Sequence, residues 1–148
     1  MTRILYILIP IFFLSFISCD NDIPSSEVPS IVANTFKSQF PDAVDVEWET
    51  VRSDYEVSFE LENVDHDALL DNSGNILKYK YKIEEIEVPT AIRTFLETEY
   101  PQEQWDDPEH IIEGNSNYYQ LEIEGFLSDK KMVIDSLGNL RTDLRYWN

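Results

Sequence analysis

The chain repeats one pattern twice, and this duplication constrains its fold more than any other feature of the sequence. The two copies cover residues 28–87 and 88–148, and both begin with Val-Pro. In each copy a helical segment ends at an aromatic residue followed by proline, strand-like segments come next, and an Asp-x-x-Gly-Asn sequence follows. An internal repeat of this kind indicates that each copy is one supersecondary unit, so the fold has to be built from two similar halves.

Each copy opens with an amphipathic helix. In the first copy Val32, Phe36 and Phe40 recur every four residues, which places them on one face of a helix over Ser30–Gln39. The second copy repeats this spacing at residues 92, 96 and 100. Prolines bound both helices, because proline is tolerated in the first turn and disfavours helical geometry in the residue before it. We expect both helices to cover a sheet.

The rest of each copy alternates apolar and polar residues, as half-buried strands do. The predicted strands are 44–51, 55–62, 67–71 and 76–86 in the first copy, and 109–113, 118–124, 131–135 and 140–146 in the second. Each Asp-x-x-Gly-Asn sequence predicts a turn between antiparallel strands. The helices align at an offset of 60 residues and the second strands at 64, which predicts four extra residues within 102–109.

These elements predict an α+β fold. Tandem α-β-β-β-β repeats would form one antiparallel sheet of up to eight strands, with both helices packed on one face. A single repeat of about 60 residues buries only about 60% of its unfolded surface and is marginally stable alone. We therefore expect the two repeats to form one domain with a shared core.

The first 18 residues are typical of an export signal. Arg3 carries their only charge, and the apolar run from Ile4 to Ile17 is shorter than the roughly 20 residues of a membrane-spanning helix. Ser18 then precedes Cys19, the single cysteine. This arrangement resembles the lipobox of bacterial lipoproteins, in which the signal peptide is cleaved before the cysteine. The resemblance implies lipidation at Cys19; the alternative is an ordinary secretory signal with a coincidental cysteine.

Residues 19–27 are polar and are predicted to form a short tether. The acidic cluster Asp20-Asn21-Asp22 resembles a surface-export signal of lipoproteins in some Gram-negative lineages. In other lineages an Asp at this position resembles an inner-membrane retention signal, and both alternatives stay open. We expect an exported bacterial lipoprotein, held to the membrane by its lipid anchor alone, at the outer membrane or the cell surface.

The composition limits the partners of the protein. Its 29 acidic and 11 basic residues give a net charge of −18. Nucleic acid is excluded, because phosphates are bound by Lys and Arg. The charge favours cationic partners, or it serves solubility alone. Once Cys19 is modified no thiol is left for a disulfide, so the fold has to rest on its core, for which 43% hydrophobic residues suffice.

The sequence carries no catalytic or metal-binding signature. His66 and His110 are the only histidines and stand apart, so we expect them at the surface and expect no metal site. The Ser-x-x-Lys spacing at Ser128 lacks the companion motifs of serine acyl-enzymes. The Asp-x-x-Gly-Asn segments lack the closing Glu of a calcium loop. We predict that the protein is not an enzyme and that it uses no cofactor.

The polar side of the predicted sheet offers candidate binding residues. Glu56, Glu60 and Glu62 resemble an acid–base cluster, but exposed strand carboxylates are usually solvated, and we expect the same here. The second copy places Tyr, Trp and Arg on this side, residue types that are enriched at binding hot spots. The candidate partner-binding residues are Tyr118, Gln120, Arg141, Arg145, Trp147, Lys78 and Lys80. Packing of Trp147 against the C-terminal edge is the alternative.

The duplicated order of Val-Pro, helix, aromatic-Pro, strands and Asp-x-x-Gly turn, in an acidic lipoprotein, resembles the PepSY-like family, also called β-lactamase-inhibitor-protein-like. The resemblance covers residues 28–146. It implies the tandem-repeat fold, a cell-envelope setting, no catalytic residues, and binding or inhibition of an enzyme such as a peptidase. The namesake inhibitor binds through the open face of its sheet, but its disulfides have no counterpart here, so inhibition of a β-lactamase is not carried over.

Two functions therefore stand as hypotheses. The first is a non-enzymatic, lipid-anchored envelope protein that binds a protein partner through the open sheet face. The alternative is a glycan-binding surface lipoprotein, with Trp147, Trp105 and Tyr118 stacking on sugars.

Overall fold

A computed structural model of the protein describes residues 22–148, which form one eight-stranded sheet and two α-helices. The elements are β1 (Asp22–Ile23), α1 (Ser30–Gln39), β2 (Val44–Val51), β3 (Asp54–Leu61), β4 (Val64–Leu70), β5 (Ile76–Lys82), α2 (Thr90–Glu99), β6 (Trp105–Glu113), β7 (Ser116–Ile123) and β8 (Lys130–Asp135). The strands lie in chain order and every neighbouring pair is antiparallel. The predicted α+β fold with two repeated segments is confirmed. The predicted export signal and Cys19 lie outside the described residues.

Both helices begin and end where the prolines predict. Pro29 and Pro89 precede the first helical residues with φ of −55° and −52°. Phe40 and Tyr100 leave helical geometry, with φ of −126° and −132°, because a proline follows each of them. Of the predicted apolar positions, 32, 36, 92 and 96 are buried, whereas Phe40 and Tyr100 are half-buried.

The two Asp-x-x-Gly-Asn turns fix the sheet against the helices. Asp71 accepts hydrogen bonds through Oδ1 from the backbone N–H groups of Ser73 (2.8 Å) and Asn75 (2.9 Å). Hydrogen bonds from Asn75 lower the pKa of Asp71. Gly74 has a φ of +84°, and a Cβ there would lie 2.9 Å from the Thr35 side chain of α1. The equivalent turn after β8 has the same bonds and packs in the same way against α2.

The two repeats have separate hydrophobic clusters, so the prediction of one shared core is wrong. The first cluster lies under α1 and is rich in aromatic residues: Val28, Val32, Phe36, Trp48, Val57, Phe59, Ala68 and Leu70. The second lies under α2 and is mostly aliphatic: Val88, Ile92, Leu96, Leu121, Ile123, Met132 and Ile134. Each helix covers its own strands, and the unbroken pairing of β5 with β6 joins the halves.

A row of aromatic and histidine side chains fills the space between the two clusters. Phe59, His66, Tyr81, His110 and Tyr119 are register partners across β3 to β7. The Tyr81 hydroxyl and Nδ1 of His110 are 2.7 Å apart, and His110 stacks on Tyr119. Burial lowers the pKa of His66, which is only 8% exposed. The prediction that His66 lies at the surface is therefore wrong. His66 is buried because it lies between Phe59 and Tyr81 in the row that joins the two repeats.

The eighth strand comes from the N-terminal side of the chain rather than from the predicted C-terminal strand. Asp22 and Ile23 pair with Glu49 and Trp48, so part of the predicted tether belongs to the sheet. Residues 140–146 form no strand, and a single bridge joins Ile134 to Leu140. The backbone N–H of Arg141 still donates to the carbonyl of Val133 (2.8 Å), and beyond Arg141 the chain leaves the edge of the sheet.

The four extra residues of the second repeat lie in the β6–β7 hairpin, and their predicted place within 102–109 is wrong. Thr50 faces Tyr55 in the first repeat, and His110 faces Tyr119 in the second. Thr50 and His110 are 60 positions apart, the same offset as between the helices, whereas their partners Tyr55 and Tyr119 are 64 positions apart. The offset therefore changes from 60 to 64 across this hairpin. The bulge in β6, where Asp107 has a φ of +45°, conceals this in the sequence because it interrupts the alternation.

Candidate binding face and its C-terminal tail

The open face is the side of the sheet opposite the helices, and the end of the chain crosses it. We call residues 140–148 the C-terminal tail. Trp147 of this tail is 7% exposed, although it is the penultimate residue. It packs over the side chains of strands from both repeats, so the centre of the open face is covered by the protein itself.

Four hydrogen bonds hold Trp147 in place. Its indole N–H donates to Oε1 of Glu56 (2.8 Å), and its backbone N–H donates to Oε1 of Gln120 (3.0 Å). Its carbonyl accepts from Nε2 of Gln120 (2.7 Å) and from Nζ of Lys80 (3.0 Å). The amide of Gln120 thus pairs with both backbone groups of one residue. Lys78 completes the enclosure, with its Nζ 3.8 Å from the centre of the indole ring.

Glu56 and Gln120 occupy equivalent positions in the two repeats. Each follows a tyrosine: Tyr55 faces Leu70, and Tyr119 faces Ile134. These residues of the second repeat lie 64 positions after their equivalents in the first. Trp147 therefore bridges the same position of both halves. The repeat itself could have identified Glu56 as a candidate binding residue, because Glu56 lies 64 residues before the candidate Gln120.

Lys80 is a buried cation beneath the tail, and its charge is paired with two carboxylates. It is 5% exposed and pairs with Asp67 at 3.3 Å and with Glu109 at 3.0 Å. Gln120 also donates from Nε2 to Glu109. A buried charge destabilises a fold unless it is paired and hydrogen-bonded. Between residues 22 and 148 no buried side-chain N or O atom lacks a partner.

The environment of Glu56 differs from the predicted solvated one. It is 7% exposed, and burial raises its pKa, while the bond from Trp147 opposes that shift. Of the other two glutamates, Glu60 is half-buried and Glu62 is exposed in the β3–β4 turn. The alternation of β3 correctly assigns Glu56 to the open face, but the pattern contains no information about a distant tail that covers this face.

The structure brings most of the candidate residues together. Lys78, Tyr118 and Trp147 line one small cleft with Arg145, whose side chain is exposed. Arg141 lies 5.0 Å from the Tyr118 ring and forms paired bonds to Asp143. Lys80 and Gln120 lie beneath the tail and contact it directly. Three residues outside the predicted set support this region from β6 and β8: Glu109, Ile111 and Val133.

The part of the open face that belongs to β2, β3 and β4 is not covered by the tail and is acidic. The polar residues that line a groove there are Asp45, Glu47, Ser58, Glu60, Asp65 and Asp67. Lys82 pairs with Asp65 at 2.9 Å, at the margin of this region. Within the described part of the chain, no His, Cys, Asp and Glu side chains are grouped so that they could hold a metal ion.

The aromatic residues proposed for sugar stacking do not share a surface. Trp105 packs against the aliphatic cluster under α2, opposite Ile123 in the register. Trp147 is buried, and Arg141 lies against the ring of Tyr118. A glycan platform would need these rings exposed side by side, so its geometric basis is absent among these three residues.

The most exposed apolar side chains lie in the β7–β8 loop. Phe126 and Leu127 are 101% and 92% exposed. The equivalent connection in the first repeat is the two-residue turn Glu62-Asn63, with φ of +54° and +65°. Because alternate strands run in the same direction, this loop lies at the opposite end of the sheet from the point where Asp22 enters.

Comparisons with known proteins agree with this architecture. The family model described as "Putative beta-lactamase-inhibitor-like, PepSY-like" matches the chain twice in tandem, over residues 17–78 and 71–142. A search of curated protein sequences gave no match. No helix in residues 22–148 is long and apolar enough to cross a membrane.

Solved structures from Bacteroides share the fold. A protein of Bacteroides eggerthii described as "putative periplasmic" has a TM-score of 0.72 at 13% identity, over 76% of this chain and 85% of that one. A DUF2874 family protein of Bacteroides uniformis gives 0.70 at 17% identity, with the same coverage. A BLIP-like protein of Bacteroides fragilis gives 0.65 at 18% identity, over 76% of this chain and 82% of that one.

Proposed function

Because this chain belongs to the beta-lactamase-inhibitor-like, PepSY-like family, we propose that it is a non-enzymatic protein of the cell envelope that binds a protein partner through the open face. In this proposal the partner is an envelope enzyme such as a peptidase, which the protein inhibits or regulates. The observation that carries the proposal is that the open face already binds a polypeptide segment, Trp147, through hydrogen bonds from both repeats.

The charge of the uncovered region supports a cationic partner surface. Glu47 and Asp65 are exposed there, and Glu60 is half-buried. The whole protein has a net charge of −18, so its field attracts basic segments over some distance. Such complementarity mainly raises the rate of association and excludes wrong partners. A basic loop of the partner would therefore lie across β2 to β4.

The topology supports presentation of this face away from a membrane. In our proposal Cys19 carries the lipid, and β1 begins at Asp22, so only residues 20–21 separate the anchor from the sheet. Strands rise by about 3.3 Å per residue, so the eight residues of β7 extend about 26 Å from the anchored end. The Phe126-Leu127 loop would then face away from the bilayer.

Site-specific photo-cross-linking tests partner binding. A photoreactive phenylalanine analogue at residue 60 or 65 of the open face should cross-link the same envelope protein from living cells. The same analogue at Ser38 of α1 or Thr94 of α2, both exposed on the helix side, serves as the matched control. Equal cross-linking from the helix side, or none from the open face, would contradict the proposal.

Charge reversal provides the second test. Asp65→Lys combined with Glu60→Lys should reduce recovery of that cross-linked partner by at least about tenfold, because both carboxylates would face a basic surface. Asp42→Lys combined with Glu97→Lys makes the same change of charge at exposed positions outside the open face. If both double variants lose the partner equally, net charge rather than the open face is responsible.

The lipid anchor needs its own experiment. Cys19→Ser should abolish incorporation of labelled palmitate and release the protein from the membrane fraction. Ser18→Ala keeps a small residue before the cysteine and should leave labelling unchanged. Labelled palmitate in the Cys19→Ser protein would show that the anchor lies elsewhere.

A further inference from the structure

We propose that the C-terminal tail is an intramolecular ligand that occupies the site of a partner segment, and that this segment presents a tryptophan. The inference rests on the proposed function and extends it, since it states what the centre of the open face recognises. The tail then acts as a tethered competitor, and a partner binds at the centre of the face only when the tail leaves it.

The contacts of Trp147 are those of a bound peptide rather than of a strand in the sheet. Its backbone N–H and C=O bond to side chains, Gln120 and Lys80, and not to the backbone of a neighbouring strand. Its ring enters a cleft between Lys78 and Val133, and the indole N–H reaches Glu56, 91 residues earlier in the chain. Amide pairing of a peptide group together with a buried indole is a typical peptide-recognition arrangement.

The tail can leave without breaking the sheet. After the bridge at Leu140 it contains no strand, and Thr142, Asp143 and Arg145 are exposed. Trp147 is the one buried residue after Leu140, and Arg141, Leu144 and Tyr146 are half-buried. Release of residues 141–148 breaks the four hydrogen bonds of Trp147 and the bond from Arg141 to Val133, but none of the strand pairing from β1 to β8, so the tail opens locally and not by global unfolding.

The site also stays organised when the tail is absent. Lys80 forms ion pairs with Asp67 and Glu109, and Gln120 donates to Glu109, so these contacts do not involve the tail. These contacts hold the two backbone-binding side chains in place, so an incoming segment meets a prepared site and loses little free energy to ordering it. Glu56 would be left uncovered, ready to accept another indole N–H.

A tethered ligand competes at an effective concentration of about millimolar for short linkers. Removal of the tail should therefore strengthen the binding of a free segment by at least about tenfold. The natural probe is the tail itself, a labelled synthetic peptide with the sequence Arg-Thr-Asp-Leu-Arg-Tyr-Trp-Asn, residues 141–148. The matched control peptide carries Ala in place of Trp.

The experiment compares the mature protein with a form that ends at Leu144, using fluorescence anisotropy. We expect the shortened protein to bind the tryptophan peptide at least about tenfold more tightly than the full-length protein does. The alanine peptide should not bind. In the shortened protein Gln120→Ala should abolish binding, whereas Gln39→Ala, an exposed position on α1, should leave it unchanged. Circular dichroism and thermal unfolding establish that each variant is folded.

If the shortened protein does not fold, full-length Trp147→Ala takes its place with the same peptides. The inference is overturned if a folded variant without Trp147 fails to bind the tryptophan peptide, or if it binds the alanine peptide equally well. Failure here leaves the cross-links from residues 60 and 65 intact, whereas failure of the proposed function removes those cross-links. The two failures are therefore distinguishable.

Discussion

The two repeats have the same order of elements but fill them with different side chains. At equivalent helix positions Phe36 stands in the first repeat and Leu96 in the second. Phe36 contacts the rings of Phe40, Trp48 and Phe59. The buried residues of the cluster around Leu96 include no aromatic ring, and aromatic side chains pack against it only in partly buried positions. The backbone pattern, set by the prolines, turns and alternation, therefore does not depend on the identity of the core residues.

The repeats also differ in the segment after the Asp-x-x-Gly-Asn turn. In the first repeat this segment is β5, which pairs on both sides, with β4 and with β6. A fourth strand in the second repeat would have lain at the edge of the sheet with one side unpaired. Residues 140–148 instead turn across the open face, and Trp147 becomes buried there. Burial of one large aromatic side chain outweighs a short exposed edge strand.

Truncation of the buried side chain at the equivalent helix position in each repeat tests whether the aromatic cluster is the stronger one. Phe36→Ala should lower the free energy of unfolding by about 4 kcal/mol and Leu96→Ala by about 3 kcal/mol, because the ring makes edge-on contacts in addition to its buried area. Urea denaturation of both variants measures the difference. An equal or larger loss for Leu96→Ala would show that the second repeat dominates stability.

The turn glycines offer a sharper comparison, since the turns are the same and their surroundings differ. Gly138 has a φ of +86°, and a Cβ there would lie 2.7 Å from the backbone oxygen of Ala91. At Gly74 the Thr35 hydroxyl, 2.9 Å away, can rotate aside, and the equivalent backbone oxygen, that of Ile31, is farther away at 3.0 Å. Gly138→Ala should therefore lower the free energy of unfolding by about 2–3 kcal/mol, and Gly74→Ala should lower it by about 1–2 kcal/mol.

Thermal unfolding of the two alanine variants provides the measurement. Thr35→Ala combined with Gly74→Ala is the control, because it removes the hydroxyl and leaves the contact with the Ile31 backbone oxygen (3.0 Å) together with the strain of the positive φ. If Gly74→Ala proves the more harmful, the packing of the two turns against their helices is not as the structure shows.

The fold was predictable because its determinants are local. Ser30–Gln39 and Val44–Val51 were predicted at their observed bounds, since prolines, periodicity and turn residues act within a few positions. The tail was not predictable, because the bond from Trp147 to Glu56 joins residues 91 positions apart. The same holds for His66, whose burial depends on its partners on neighbouring strands.

Glu56→Gln makes the equivalent open-face positions of the two repeats identical. A glutamine oxygen can still accept the indole N–H of Trp147, and a buried charge is removed. Glu49 and Asp67 reinforce the raised pKa of Glu56, and Lys78 opposes it. Because that pKa is raised in the folded state, the contribution of Glu56 to stability is complete below pH 4.5 and is lost as the pH rises through the raised value.

The variant should therefore equal the parent protein near pH 4 and exceed it by up to about 1 kcal/mol at pH 7. Urea denaturation across this range measures the difference, and Glu60→Gln on the same strand is the control. A constant difference at all pH values would show that the charge of Glu56 plays no part.

The smallest effect is expected at the loop that distinguishes the second repeat from the first. Phe126→Ser combined with Leu127→Ser should change the free energy of unfolding by less than about 0.5 kcal/mol, because both side chains are fully exposed and contribute no burial. The matched change at a buried site, Leu121→Ser on β7, should be strongly destabilising, since Leu121 is 0% exposed. A large loss in the loop variant, measured by urea denaturation, would mean that Phe126 and Leu127 pack against the sheet in solution, and that the longer connection of the second repeat is part of its core.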